Sequence, residues 1–315
     1  MHIAILGATS QIAKDLICSF AKHGDDKLTL FARRVEVVND WLVKTRLTAR
    51  YDIKSYDGFN GAQKFDAIIN FVGVGDPAKA AVMGAAILDI TNQYDAMALE
   101  YLKKYPDCRY IFLSSGAAYG SSFSEPVDEH TQAKFPINHL GIQDWYGIAK
   151  FYAECRHRSL SELPIVDLRV FNYFSHTQDM EARFLITDIV RAIRDKTVLI
   201  TSADHIMRDY LHPSDFYQLV SKILKANPIN TSVDCFTLEP IDKLKLLSAM
   251  HEQFGLRYEI INGDSGVNAT GGKPHYYSLN RSAYKFGYEP HLSSLKGLFQ
   301  EIREIMGTRF IKLIG

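Results

Sequence analysis

The chain has 315 residues. Its 36 Lys and Arg balance 36 Asp and Glu, and 47% of residues are hydrophobic, 12% aromatic and 23% charged. This is the make-up of a folded globular chain with room for one large or two ordinary domains, and it excludes collagen-like, disordered and disulfide-scaffold classes. A formal charge of zero leaves no electrostatic footprint for nucleic acid or an anionic membrane.

The apolar runs fall short of the roughly 20 residues needed to cross a bilayer. Met1 leads straight into His2-Ile3-Ala4-Ile5-Leu6 with no basic stretch or cleavage site. No signal peptide and a cytoplasmic location are therefore expected. Cys18, Cys108, Cys155 and Cys235 are spaced for neither a disulfide frame nor a zinc site, so buried thiols in a reducing compartment are expected.

Residues 2–6 read as a first strand ending at Gly7, followed by a helix with Ile12, Ala13, Leu16, Ile17 and Phe20 on one face and Ser10 as its N-cap. Residues 27–32, 51–56, 67–72, 109–113 and 164–171 read as further strands, with helices over 78–104 and 144–160. Strands alternating with helices predict an α/β fold, a Rossmann-type doubly wound parallel sheet covered on both faces. Beyond Asn172 come shorter elements: helices over 181–195, 214–225 and 241–254, and a Gly- and Asn-rich surface loop over 262–273. The division expected is a dinucleotide-binding domain over 1–171 and a smaller mixed substrate lobe over 172–315. Segments near 197–237 return to the sheet, so no clean linear boundary is expected.

The turn after the first strand is Gly7-Ala8-Thr9-Ser10-Gln11-Ile12-Ala13. Dinucleotide folds favour glycine at the positions held here by Gly7, Ser10 and Ala13, for a tight turn, close approach to pyrophosphate and helix–strand packing. Both replacements are small, and the helix N-terminus still offers N–H groups and a positive dipole end to phosphate. An ordinary strand–turn–helix is the plainer reading of this segment alone. The second strand ends in Phe31-Ala32-Arg33-Arg34, where an NAD-binding fold usually carries Asp or Glu, and Asp25 and Asp26 lie at its opposite end. Arg33 and Arg34 suit a 2′-phosphate, so NADP(H) is favoured and NAD(H) stays open. The alternative is a pair of solvated loop arginines.

Tyr146-Gly147-Ile148-Ala149-Lys150 puts a phenol and an ammonium on one helix face at i, i+4. A cation beside a phenol favours phenolate, and a tyrosine so tuned exchanges a proton with a carbonyl or alcohol. Ser114-Ser115-Gly116-Ala117-Ala118-Tyr119-Gly120 follows the fifth strand, where open α/β sheets bind ligands, so Ser115 can donate to the substrate oxygen.

With the segments LRVFN (168–172), RDYLHPSD (208–215) and FGYEP (286–290), these motifs resemble the extended short-chain dehydrogenase/reductase family, the branch of nucleotide-sugar epimerases, dehydratases and reductases. The resemblance runs through nearly the whole chain in the family's order. It implies Ser115, Tyr146 and Lys150 as the catalytic trio, with Tyr146 and Lys150 also touching the cofactor. It implies Gly7, Thr9, Ser10, Gln11 and Ile12 at the pyrophosphate, Arg33 with Arg34 at the adenosine ribose, and Phe71-Val72-Gly73 beneath the cofactor. It implies Ser115, Tyr119, Asn172 and Arg208 at a nucleotide-sugar substrate, the last two at its diphosphate. It also implies a homodimer formed through a four-helix interface and a place in nucleotide-sugar metabolism such as polysaccharide biosynthesis.

Where sugar dehydratases of the family carry an Asp-Glu pair, this chain has Gly116 and Ala117, which disfavours 4,6-dehydration. Where many members have a His-x-Ala-Ala turn, it has Asn70-Phe71-Val72-Gly73. No His or Cys pair has metal-ligand spacing, and no metal is expected. The reading reached is an NADPH-dependent reductase of a nucleotide-linked keto-sugar. A nucleotide-sugar epimerase with tightly held NAD is the alternative, and a non-catalytic cofactor-sensing regulator ranks last, because Tyr146 and Lys150 are both present.

Overall fold

The computed structural model describes residues 1–48, 50–74, 77–261 and 273–312. Strands β1 (His2–Leu6), β2 (Lys27–Phe31), β3 (Asp52–Lys54), β4 (Ala67–Asn70), β5 (Arg109–Ser115) and β6 (Ile165–Val170) alternate with helices α1 (Gln11–His23), α2 (Val35–Thr45), α3 (Pro77–Met83), α4 (Ala86–Lys104) and α5 (Trp145–Ser159). Strands β7 (Asn172–Tyr173), β8 (Val198–Ser202), β9 (Met207–Arg208), β10 (Tyr210–Leu211), β11 (Thr231–Asp234), β12 (Ile241–Asp242), β13 (Arg257–Ile261) and β14 (His275–Tyr276) follow, with helices α6 (Leu185–Asp195), α7 (Pro213–Lys225), α8 (Lys243–Phe254) and α9 (Ser294–Lys312).

Seven strands form one parallel sheet in the order β3-β2-β1-β4-β5-β6-β11. The chain moves outward from β1 to β3, then returns to place β4 on the other side of β1. The carboxyl ends of β1 and β4 therefore flank the switch point where such sheets bind ligands. Period-2 alternation in β1 shows how the sheet is covered twice. Ile3 and Ile5 enter the core under α1, α2 and α7, whereas Ala4 and Leu6 enter the core under α4 and α5.

A third core, built from Ile186, Ile189 and Val190 of α6, Leu246, Leu247 and Met250 of α8, and Leu298 and Ile302 of α9, belongs to the C-terminal half. Its small sheets are β10-β7, β12-β9-β14 and β13-β8. Of the stretch 197–237, Thr231–Asp234 joins the main sheet, while Val198–Ser202 pairs with β13 instead.

Three local expectations are corrected. The helix expected over 78–104 is broken at Gly84, whose φ of +53° is left-handed, giving α3 and α4. Cys18 and Cys155 are exposed, because they lie on the solvent sides of α1 and α5; Cys108 and Cys235 are buried as expected. Ser10 is the N-cap of α1 in backbone terms, but its hydroxyl makes no capping bond. The expected loop over 262–273 lies, except for Lys273, outside the described residues.

Candidate active site

At the nucleotide end, Gly7 has a φ of +81°, and a side-chain carbon placed on it would lie 2.9 Å from the Phe71 and Val72 backbone. Only glycine lets β1 turn into α1 while the segment after β4 passes this close. No side chain caps α1, so its first N–H groups and positive end face the switch point without an internal partner. Thr9 and Ser10 are half-exposed in this turn. Gln11 instead sends its amide to Ser175 Oγ at 2.7 Å, tying the turn to the C-terminal half, and Ile12 packs on the core. Arg33 and Arg34 are exposed just past the end of β2. Tyr56, which the sequence did not single out, lies near the Gly7 backbone, and its ring centre is 4.6 Å from that of Tyr94. This turn, tight at Gly7 and leading into an uncapped helix, fits a dinucleotide phosphate.

The reacting centre is assembled from β5 and α5. Gly147 lets α5 press onto the turn after β5, for a carbon there would meet the Ala117 carbonyl at 2.6 Å. That approach places the Tyr146 phenol beside the Ser115 hydroxyl. Ser115 Oγ accepts from the Ala117 N–H at 3.2 Å and lies 3.2 Å from the Tyr276 hydroxyl. The Lys150 ammonium donates to the Leu113 carbonyl at 2.7 Å and sits 4.4 Å from the Phe112 ring centre and 5.8 Å from that of Tyr146. A carbon on Gly73 would come within 3.3 Å of this ammonium, so the segment Phe71-Val72-Gly73 and Lys150 meet.

The electrostatics differ from the sequence expectation. Burial pushes the Tyr146 phenol up, and the Ser115 hydrogen bond acts against it. Burial also lowers Lys150 to about 8, although Asp95, Glu154 and Asp167 behind it act to raise it. Desolvation outweighs the expected cation effect on the phenol because the ammonium is held by a main-chain carbonyl, away from the tyrosine oxygen.

At the substrate end, Arg208 donates to the carbonyls of Met207 at 2.8 Å and Lys273 at 2.7 Å, and burial lowers its pKa. Asn172 donates its amide to the carbonyls of Asp209 at 3.4 Å and Tyr276 at 3.3 Å. Lys273, absent from the sequence expectations, is lowered to about 8 by burial first and the nearby Arg208 charge second, with Asp144 opposing. Two neighbouring cations beside the reacting centre suit a dianionic group such as a diphosphate. Tyr119 does not join them. Its hydroxyl donates to Asp234 Oδ2 at 3.0 Å and receives Arg169 at 2.7 Å inside a buried network that continues to Glu154 and Ser114.

A second buried network backs α5. His157 lies between Asp167 at 2.6 Å and Asp95 at 2.7 Å, with Arg158 on the first carboxylate and Arg156 and Tyr110 on the second. Burial alone would lower His157, but the two carboxylates raise it to about 9.

Gly116 has a steric reason. A carbon there would lie 2.4 Å from the Phe171 ring, itself locked between Phe123 and Tyr276. Gly116→Ala is expected to cost about 1–3 kcal/mol in a denaturant melt and to lower turnover by disturbing Ser115. A native-like melt would contradict the packing argument.

Residues 3–233 match the model of the NAD dependent epimerase/dehydratase family. The chain belongs to that family. It is thus an enzyme chain of the extended short-chain dehydrogenase/reductase type, in a family described as NAD-dependent epimerases and dehydratases. Solved structures share its fold end to end. UDP-glucose 4-epimerase from Thermotoga maritima, solved with UDP-glucose, is 16% identical with a TM-score of 0.80, covering 98% of this chain and 100% of that one. UDP-glucuronic acid 4-epimerase from Bacillus cereus, solved with UDP-glucuronic acid and NAD, is 17% identical with a TM-score of 0.77 over 98% and 100%. dTDP-glucose 4,6-dehydratase from Bacillus anthracis, solved with NAD, is 17% identical with a TM-score of 0.77 over 98% and 97%. No curated protein matches the chain by sequence. Among the described residues no helix of this family member is long and apolar enough to cross a membrane, and no cluster of His, Cys, Asp and Glu could hold a metal.

Proposed function

We propose that this enzyme moves a hydride between a nicotinamide cofactor and a nucleotide-linked sugar, working chiefly as an NADP(H)-dependent reductase of a keto-sugar. The observation that carries the reading is the meeting of Ser115, Tyr146 and Lys150 at the carboxyl edge of β5, beside the segment Phe71-Val72-Gly73. A bound nicotinamide supplies the hydride chemistry. Tyr146 gives its proton to the sugar oxygen, Ser115 donates a hydrogen bond to the same oxygen, and Lys150 positions the cofactor ribose. Arg208 and Lys273 take the diphosphate, with Asn172 fixing the backbone they stand on. The backbone over Gly7, Thr9, Ser10, Gln11 and Ile12 takes the pyrophosphate at the open end of α1, while the Gln11 and Ile12 side chains turn to Ser175 and the core.

Two features favour the reductive direction. Burial keeps Tyr146 protonated at neutral pH, which suits an acid. Arg33 and Arg34 stand at the end of β2 where an acid would select NAD. Arg33→Asp is expected to weaken NADPH binding about 10-fold or more and to spare NADH; equal loss of both in a fluorescence titration contradicts the phosphate role.

The second reading, a 4-epimerase with retained NAD, is favoured by the NAD-bound epimerases of the same fold. Nucleotide extracted from the purified, extensively washed protein separates the two. Stoichiometric NAD supports the epimerase. An empty protein that oxidises NADPH with a nucleotide 4-keto-sugar supports the reductase. A homodimer through a four-helix interface and a cytoplasmic location remain part of the proposal.

A further inference from the structure

We propose that Tyr276 is a positioning residue that fixes Ser115 as a hydrogen-bond donor toward Tyr146 and the substrate oxygen. The inference deepens the reading above and rests on Tyr146 as the proton carrier.

A serine hydroxyl has one proton and two lone pairs. One lone pair of Ser115 takes the Ala117 N–H at 3.2 Å. The Tyr276 hydroxyl stands 3.2 Å away on another side, and Tyr146 is the third polar neighbour. When Tyr276 donates, both lone pairs are filled and the Ser115 proton can point only to the Tyr146 oxygen or to a substrate oxygen in its place. Without Tyr276, Ser115 is free to turn its proton elsewhere and to accept from Tyr146.

Tyr276 is built to donate. Burial drives its own phenol far above the ordinary range, so it keeps its proton wherever the enzyme works. The Lys273 ammonium lies 4.6 Å from its ring centre, and a cation on the ring face strengthens the O–H as a donor. The ring cannot swing away, being wedged edge-on against Phe123 at 4.8 Å and Phe171 at 5.3 Å. Its backbone is paired with Arg208 across β14 and β9, and its carbonyl is held by Asn172. The residues assigned to the diphosphate therefore frame the same tyrosine that sets the serine.

The chain Tyr276, Ser115, Tyr146 stabilises the phenolate of the last member. Besides these, the ionisable groups around it are Lys150 and Asp144 on α5, Arg208 on β9 and Lys273 before β14.

The test uses Tyr276→Phe, Ser115→Ala and the double variant in the full-length protein. The Tyr146 phenol is titrated by tyrosinate absorbance, as the difference between each protein and its Tyr146→Phe counterpart. Tyr276→Phe is expected to raise that phenol by about 0.5–1 pH unit, the size of one hydrogen bond, and to add nothing in the Ser115→Ala background. With whichever of a panel of UDP- and dTDP-linked sugars the native enzyme turns over, kcat is expected to fall about 5–30-fold with KM within twofold. An unmoved titration, or the same shift with and without Ser115, overturns the proposal, as does a KM effect with native kcat. A native enzyme that turns over no panel sugar, yet shows the coupled titration, sinks the parent reading and leaves the hydroxyl chain standing.

Discussion

Tyr146→Phe is expected to lower turnover by about 10²–10⁴-fold while leaving cofactor affinity within a factor of two. The substitution removes one oxygen from a helix face whose ring packing stays intact. On the proposed reading no other group takes its place as proton donor: Lys150 is held by the Leu113 carbonyl, and Ser115 lacks the acidity to supply the proton alone. The pH profile should carry the same signature. Because burial raises the phenol, reduction should hold steady through neutral pH and decline only as the pH climbs to the shifted value, whereas oxidation of the alcohol should rise over that range. Native turnover by the phenylalanine variant would place the proton donor elsewhere.

The second large effect concerns stability. His157→Leu is expected to cost about 3–5 kcal/mol, because it leaves Asp95 and Asp167 buried without the cation between them. A melting temperature lowered by on the order of 10 °C would report this, and an unchanged melt would show that Arg156 and Arg158 suffice. The sign of the pH dependence follows from the raised pKa. The His157 contribution is complete below the unfolded value of 6.5 and is lost as the pH passes about 9, the folded value. Lys150 and Lys273, both lowered to about 8, work in the opposite sense as the pH rises above that value. The difference between native protein and His157→Gln isolates the histidine, since the two lysines cancel. That difference should shrink between pH 6.5 and 9.

Much of the sheet was legible because its signals are local. The apolar run of β1, the turn at Gly7 and the i, i+4 pair on α5 need no distant residue to be understood. The break at Gly84 was missed because the apolar spacing continues on either side of it. The exposure of Cys18 and Cys155 depends on which face of each helix meets the sheet, and composition does not decide that.

At the candidate site, spacing put Tyr146 and Lys150 on one helix face, and the position of Ser115 at the end of β5 was local too, so their juxtaposition was legible. Tyr276 and Lys273 were not, since they carry no pattern of their own and reach the centre only through pairing of β14 with β9. Tyr119 was misdirected by its neighbourhood: it follows Ser115 closely in sequence, but the intervening turn sends its hydroxyl to Asp234. Asp167 and Arg169, two charges inside a strand that is apolar at its other positions, were visible hints of the two buried networks, though nothing in the sequence named His157 or Glu154 as their partners.

The ring of Phe171 against Gly116 limits where this chain can go by gradual change. The family resemblance implies an acid at this position in water-eliminating members, yet no side chain larger than hydrogen can enter while that ring stays in place. A path toward elimination chemistry must begin with a smaller residue at 171, a step that loosens the aromatic clamp on Tyr276 before any new carboxylate can act. The order of substitutions is thereby fixed, and the first of them is expected to be harmful.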